Sequence, residues 1–180
     1  MKIGVISDTH GSLTAWQQAY SYLKDTELII HCGDLLYHGP RNPLPQGYAP
    51  KELATALNEI SIPLLIARGN CDAEVDQLLI NEPIEAPYVR LYLPRLQIFV
   101  HHGDQPLPQK IENNYQLIIS GHTHLAGINQ VNSLIYLNPG SPALPKNETQ
   151  TKTIALIDED FIKIIELDTG TTLAQKNLAL

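Results

Sequence analysis

Cysteine is scarce in this chain: only Cys32 and Cys71 occur among 180 residues. Two are too few for a disulfide scaffold, and each lies in a Gly/Asp-containing turn, so a reducing compartment is expected. Long apolar runs are missing as well. Leu64-Leu65-Ile66-Ala67 after Pro63 is typical, far below the roughly 18 residues that cross a bilayer. The opening Met1-Lys2-Ile3-Gly4-Val5-Ile6 turns polar at Ser7-Asp8 before an apolar signal segment can form. A cytoplasmic protein without a membrane partner is expected. Positive charge is in deficit, with 12 Lys+Arg against 19 Asp+Glu and a net charge of −7. That is the wrong sign for a broad grip on a phosphate backbone, so no extended nucleic-acid surface is expected. Repeats, low-complexity tracts and interdomain linkers are also absent. What remains is ordinary globular composition, 43% hydrophobic and 17% charged, in one domain spanning residues 1–180 and long enough to bury about 70% of its unfolded surface.

Short apolar runs that end abruptly in polar turns read as buried strands. Lys2 to Ile6, Leu28 to Ile30 and Leu64 to Ala67 are such runs. Between the first two, Ser12 offers an N-cap, and Leu13, Trp16, Ala19, Tyr20 and Leu23 recur at helical spacing. Lys51 to Ile60, with Leu53, Ala54, Leu57 and Ile60 on one face, predicts a second helix that Pro63 cannot continue. Leu35 to Pro50 holds four prolines and two glycines and reads as a long functional loop. The alternation points to a parallel sheet in the first half. From Pro83 the strand-like runs Tyr88–Leu93, Leu96–Val100, Leu117–Ile119, Gly127–Val131, Ile135–Leu137, Thr153–Ile157, Phe161–Leu167 and Thr171–Lys176 predict a mostly antiparallel second half, with hairpin turns at Asp158-Glu159-Asp160 and Asp168-Thr169-Gly170.

Five polar turns follow five of these strands: Asp8-Thr9-His10, Gly33-Asp34, Gly69-Asn70-Cys71-Asp72, His101-His102-Gly103 and Gly121-His122-Thr123-His124. Each alone is ordinary turn chemistry. A sheet, however, would bring all five to one edge, where α/β proteins place their sites, and would collect Asp8, His10, Asp34, Asn70, His102, His122 and His124 there. Imidazole with carboxylate suits divalent transition metals such as manganese, iron, nickel or zinc, whereas the lack of thiolate clusters argues against a structural zinc site.

The order Asp-x-His, Gly-Asp, Gly-Asn-x-Asp, His-Gly and Gly-His-x-His, from Met1 to about Ser141, resembles the calcineurin-like metallophosphoesterases. The chain length, the Gly-Asn-Cys-Asp variant and the loop His38 to Pro50 are similar to the small bacterial phosphodiesterases of that family. The resemblance implies an α/β fold of two mixed β-sheets in a sandwich flanked by helices, and two divalent ions, manganese foremost and nickel, iron or zinc otherwise. It puts Asp8, His10 and His124 on one ion and Asn70, His102 and His122 on the other, with Asp34 bridging. A water of lowered pKa held between the ions would then attack phosphorus in line, so the family activity is hydrolysis of a small phosphodiester. Asp34, Asn70, Cys71 and Asp72 form the catalytic set, and His38, Arg41 and Asn42 are candidate substrate contacts, with Arg68 and Tyr48 as further options. Asn138-Pro139-Gly140-Ser141 resembles a family turn next to the metals. The family also suggests a homo-oligomer, a dimer or tetramer.

Two positions depart from the family pattern. Cys71 stands where many relatives carry a histidine, and Asp104 replaces a trailing histidine after His102-Gly103. A thiol is a poorer proton donor than an imidazolium, which predicts a preference for esters with good leaving groups. The competing functions are a phosphomonoesterase or nucleotide hydrolase on the same site, and a non-catalytic protein-binding scaffold. The filled ligand set argues against the scaffold.

Overall fold

The computed structural model describes residues 1–109, 111 and 114–178. The first half alternates strands and helices: β1 (Ile3–Ile6), α1 (Leu13–Leu23), β2 (Leu28–His31), α2 (Pro50–Asn58) and β3 (Leu64–Ala67). Ser12 caps α1 by accepting from Ala15 N at 3.1 Å, and the face carrying Trp16, Ala19 and Leu23 is buried. After β3 come a 3-10 turn at Glu74–Leu78 and the two-residue strand β4 (Ile84–Glu85), neither of which has a periodicity that its sequence could display. Then follow β5 (Tyr88–Tyr92), β6 (Gln97–His101), β7 (Leu117–Ile119), β8 (Gly127–Val131), β9 (Leu134–Asn138), β10 (Thr153–Ile157), β11 (Phe161–Glu166) and β12 (Thr172–Asn177).

These strands form two mixed sheets, one ordered β12-β11-β10-β1-β2-β3-β4 and the other β5-β6-β7-β9-β8. In the first, β1 to β4 are parallel, as the alternation predicts, and β10 joins β1 antiparallel. In the second, β6 to β7 and β7 to β9 are parallel pairs inside a half that otherwise pairs antiparallel. The reason is the long connection from His102 to Gln116. It is long enough to cross over and lays Leu107, Ile111 and Tyr115 on the outer face of the sheet against Phe99 and Ile118.

Between the sheets lies the main core, where Val5, Ile30, Ala155 and Ile164 meet Ile98, Val100, Leu117, Ile119 and Leu137. The helices cover the other face of the seven-stranded sheet through Trp16, Leu23, Leu53 and Leu57 on Ile6, Ile29, Ile66 and Ile154. The runs are apolar on both sides because both sides are covered. The carboxyl ends of β1, β2 and β3 and those of β6 and β7 thus bring their following turns together at one edge of the sandwich.

Candidate metal centre

The five turns are knitted by backbone. Asp8 N donates to Gly33 O (3.0 Å), His10 N to Asp34 O (3.0 Å) and Gly11 N to Leu35 O (2.7 Å), which zips the turn after β1 to the turn after β2. Gly33 and Gly69 let the turns after β2 and β3 touch backbone to backbone: a Cβ on Gly33 would lie 2.5 Å from Gly69 N, and one on Gly69 would lie 2.4 Å from Asp34 N. Asp72 closes that contact. Its carboxylate accepts from Asp34 N (2.8 Å), Leu35 N (2.7 Å) and Gly69 N (2.7 Å), so this member of the expected catalytic set sits beneath the turns as their staple. Asp8, His10, Asp34, His122 and His124 all have positive φ, between 46° and 67°. Such backbone is unfavourable for residues with a Cβ and costs on the order of 1–3 kcal/mol each, which the surrounding hydrogen bonds must offset.

This backbone converges six of the seven expected ligands. Asp8 Oδ1 lies 3.4 Å from His124 Nε2, 3.7 Å from His10 Nε2 and 4.0 Å from His102 Nε2. Asp34 Oδ2 lies 3.4 Å from His102 Nε2 and 3.7 Å from His10 Nε2. His122 Nδ1 approaches His102 Nε2 to 3.2 Å. Asn70, the seventh, is exposed at the rim, its amide donating to Cys71 Sγ. Two trios, Asp8–His10–His124 and Asp8–Asp34–His102, each hold their donor atoms within 4.8 Å, and Cys71 Sγ falls within the same distance of His10 and Asp34.

The outward ring nitrogens fix which atom faces in. His10 Nδ1 donates to Tyr37 O (2.9 Å), His102 Nδ1 to Cys32 O (2.8 Å) and His124 Nδ1 to Leu144 O. That leaves the Nε2 lone pairs of His10 and His124 facing each other at 3.2 Å, beside an Asp8 Oδ1 that is buried without a hydrogen-bond partner. Such a convergence is repulsive by itself and favourable around a cation, so the donor set fits divalent ions.

Electrostatics follow from burial. Desolvation pushes Asp8 up to about 7. Burial would also raise Asp34, but the hydrogen bond and charge of His102 and the Cys71 amide hold it well below the carboxylate range. Burial lowers His10, His122 and His124, the last to about 4. For His102 burial is outweighed by Asp34 and Asp8, which raise it to about 9. His31 is a neutral strut: its Nδ1 accepts from Gly33 N and its Nε2 meets Thr9 Oγ1, which donates to Leu35 O, while burial pushes its pKa down to about 3.

Above the cluster opens a cleft of about 780 Å³ lined by Asp34, Asn70, Cys71, Asp72, His122 and His124, by Tyr37, Arg41 and Asn42 of the long loop, and by Lys146. Three of the expected substrate contacts take different places. Arg41 and Asn42 face the cleft. His38 is not among the lining residues; its ring packs edge-on to Tyr37 and Tyr48, and its carbonyl accepts from Asn42 Nδ2. Arg68, Tyr48 and Asp104 also lie outside the lining. The turn after β9 braces the site: Ser141 Oγ donates to Asp8 O (2.8 Å) and Asn138 Nδ2 to Gly121 O (2.8 Å). Tyr37 and Lys146 were not legible as cleft residues. The only available signal was that each neighbours a site element, Tyr37 in the long loop and Lys146 shortly after the Asn-Pro-Gly-Ser turn.

Residues 1–160 match the family model of the calcineurin-like phosphoesterase superfamily domain. The chain is 36% identical over 179 residues, 97% of each chain, to the phosphodiesterase YfcE of Escherichia coli strain K12. It is 28% identical over 182 residues, 94% of each chain, to a probable metallophosphoesterase of Methanothermobacter thermautotrophicus. The solved structure of the E. coli phosphoesterase YfcE superposes with a TM-score of 0.89, covering 98% of each chain. Vps29 from Cryptosporidium parvum, at 17% identity and a TM-score of 0.70 over 99% of this chain and 98% of that one, shares the fold.

Proposed function

The chain belongs to the calcineurin-like phosphoesterase superfamily, and from that premise we propose that this metal-dependent phosphodiesterase hydrolyses small phosphodiesters at a pair of divalent ions, manganese foremost, in the cytoplasm and through one domain spanning residues 1–180. The observation that carries the reading is the double trio around Asp8, with inward Nε2 lone pairs and an unpartnered carboxylate oxygen. When bound, such ions supply Lewis acidity toward the phosphoryl oxygens and a water of lowered pKa as nucleophile. Asp8, His10 and His124 would hold one, His102, His122 and Asn70 the other, and Asp34 would serve both. The remaining work falls to the chain itself. The carbonyls of residues 37, 32 and 144 orient the imidazoles, and the Cys71 amide, donating to Asp34 Oδ1 at 2.8 Å, leaves Oδ2 turned toward His10 and His102. Arg41 and Asn42 are placed to meet substrate oxygens.

Cys71 supplies no ready proton. Burial, reinforced by Asp34, pushes its thiol up to about 12, so it stays protonated and weakly acidic at neutral pH. Metal-stripped protein is therefore expected to cleave bis-p-nitrophenyl phosphate only after manganese is restored, and a dialkyl phosphodiester at least about a thousandfold more slowly, because an alkoxide must leave unassisted. Comparable rates on the two esters, or turnover that survives metal removal, would overturn the reading.

Metal uptake is expected to be proton-coupled. At pH 6 both Asp8, near 7, and His102, near 9, carry protons that a cation must displace. Loading then releases about two protons at pH 6, about one at pH 8 and about half of one at pH 9, and affinity climbs over that window. Titration calorimetry in buffers of different ionisation enthalpy reads this number directly. Release that does not change between pH 6 and pH 9 would contradict the assignment of these two groups.

A further inference from the structure

The protein is acidic overall, yet the charged side chains that line its cleft at the solvent are cations. Arg41 on the long loop and Lys146 on the segment after β9 are its two basic lining side chains, and both are exposed. The acids that line it, Asp34 and Asp72, are 2% and 9% exposed and are already engaged, Asp34 with His102 and the Cys71 amide and Asp72 with three backbone amides. Neither Arg41 nor Lys146 forms an ion pair among the described residues. With 19 acids against 12 bases in the chain, two unpaired cations and no exposed acid among the lining residues make a local reversal of sign. Tyr37 shares the same wall, 43% exposed, with its carbonyl tied to His10.

A phosphodiester carries one negative charge, and in the proposed reading the ions beneath the cleft already meet it. Two further cations are in excess of that demand. We infer that the substrate is a phosphodiester with a second anionic group on one of its arms, held by Arg41 and Lys146 while the scissile phosphate sits over the Asp8–Asp34 cluster. A guanidinium takes such a group through two oxygens and an ammonium takes it as a point charge, so both phosphate and carboxylate satisfy the pair. The cleft is about 780 Å³, within the range of small-ligand sites, which admits a diester with such an arm. The inference rests on the diesterase reading.

The test compares two esters that release the same p-nitrophenolate: the p-nitrophenyl ester of thymidine 5′-phosphate, and the same compound with an additional 3′-phosphate. A third ester with a carboxylate arm separates phosphate from carboxylate recognition. On manganese-loaded protein the 3′-phosphorylated ester is expected to show kcat/KM about tenfold higher, mostly through KM. The advantage should shrink with added salt. In the double variant Arg41→Gln, Lys146→Gln the two thymidine esters should converge to within about twofold. Calorimetric binding of thymidine 3′,5′-bisphosphate against thymidine 5′-phosphate should follow the same order and lose it in the same variant. If both thymidine esters are cleaved at equal rates, or the preference survives the double substitution, the inference fails and the diesterase reading stands. If neither is cleaved, the diesterase reading fails with it.

Discussion

Asp34→Asn is expected to lower manganese-supported hydrolysis of bis-p-nitrophenyl phosphate by at least about a thousandfold, about 4 kcal/mol of transition-state stabilisation, in protein that remains folded. Asp34 reaches both His10 and His102, at 3.7 Å and 3.4 Å, and lies nearer His102 than Asp8 does at 4.0 Å. An asparagine keeps the shape, and its Oδ1 can still accept the Cys71 amide that the aspartate accepts at 2.8 Å. What it removes is the charge. The native group stays ionised far into acid because His102 and the Cys71 amide outweigh its burial, so the wild type carries this negative charge at every pH of an ordinary assay. Metal content measured alongside activity separates the two ways the variant can fail. Loss of bound manganese marks a ligand, and retained manganese without turnover marks a group needed in the reaction. Activity within tenfold of wild type, with full metal content, would remove Asp34 from the centre of the mechanism.

Asp72→Ala should do the opposite kind of damage. Asp72 accepts from three backbone amides belonging to two turns, and its removal leaves the amides of Asp34, Leu35 and Gly69 buried without partners. At about 1–3 kcal/mol for each orphaned donor, the expected loss is about 3–9 kcal/mol of unfolding free energy, which is a fall of about 6 °C or more in Tm for a chain of this size. Urea unfolding of the metal-free protein measures it without interference from ligand binding. A cost below about 1 kcal/mol would mean that water reaches these amides and that Asp72 does not hold the turns. The residue sits one place from Cys71 and two from Asn70 in sequence, yet its carboxylate is engaged by the backbone under the site.

That contrast marks what the sequence can disclose. The strands Ile3–Ile6, Leu28–His31 and Leu64–Ala67 were legible because burial on both faces leaves an unbroken apolar run, and α1 because Ser12 supplies its cap. The turns that carry the candidate cluster were legible because carboxylate and imidazole stand immediately after those runs. The partners of the outer imidazole nitrogens were not, since a carbonyl at Tyr37, Cys32 or Leu144 has no side-chain signature. Lys146 was hidden for a related reason: a lone lysine in a loop looks like a solvated charge until the fold sets it beside His122 and His124. His38 misled in the other direction. Its neighbours in the loop face the cleft, but its own ring is taken up by Tyr37 and Tyr48.

The left-handed backbone at Asp8, His10, Asp34, His122 and His124 has a consequence for anyone selecting hardier variants of this protein. Glycine would relax the main chain at each of the five positions, while every one of them contributes a side chain to the cluster. Selection for heat resistance alone would therefore drift toward the site and return proteins that melt later and turn over nothing. Improvement of this scaffold has to be sought elsewhere, with turnover screened in the same round.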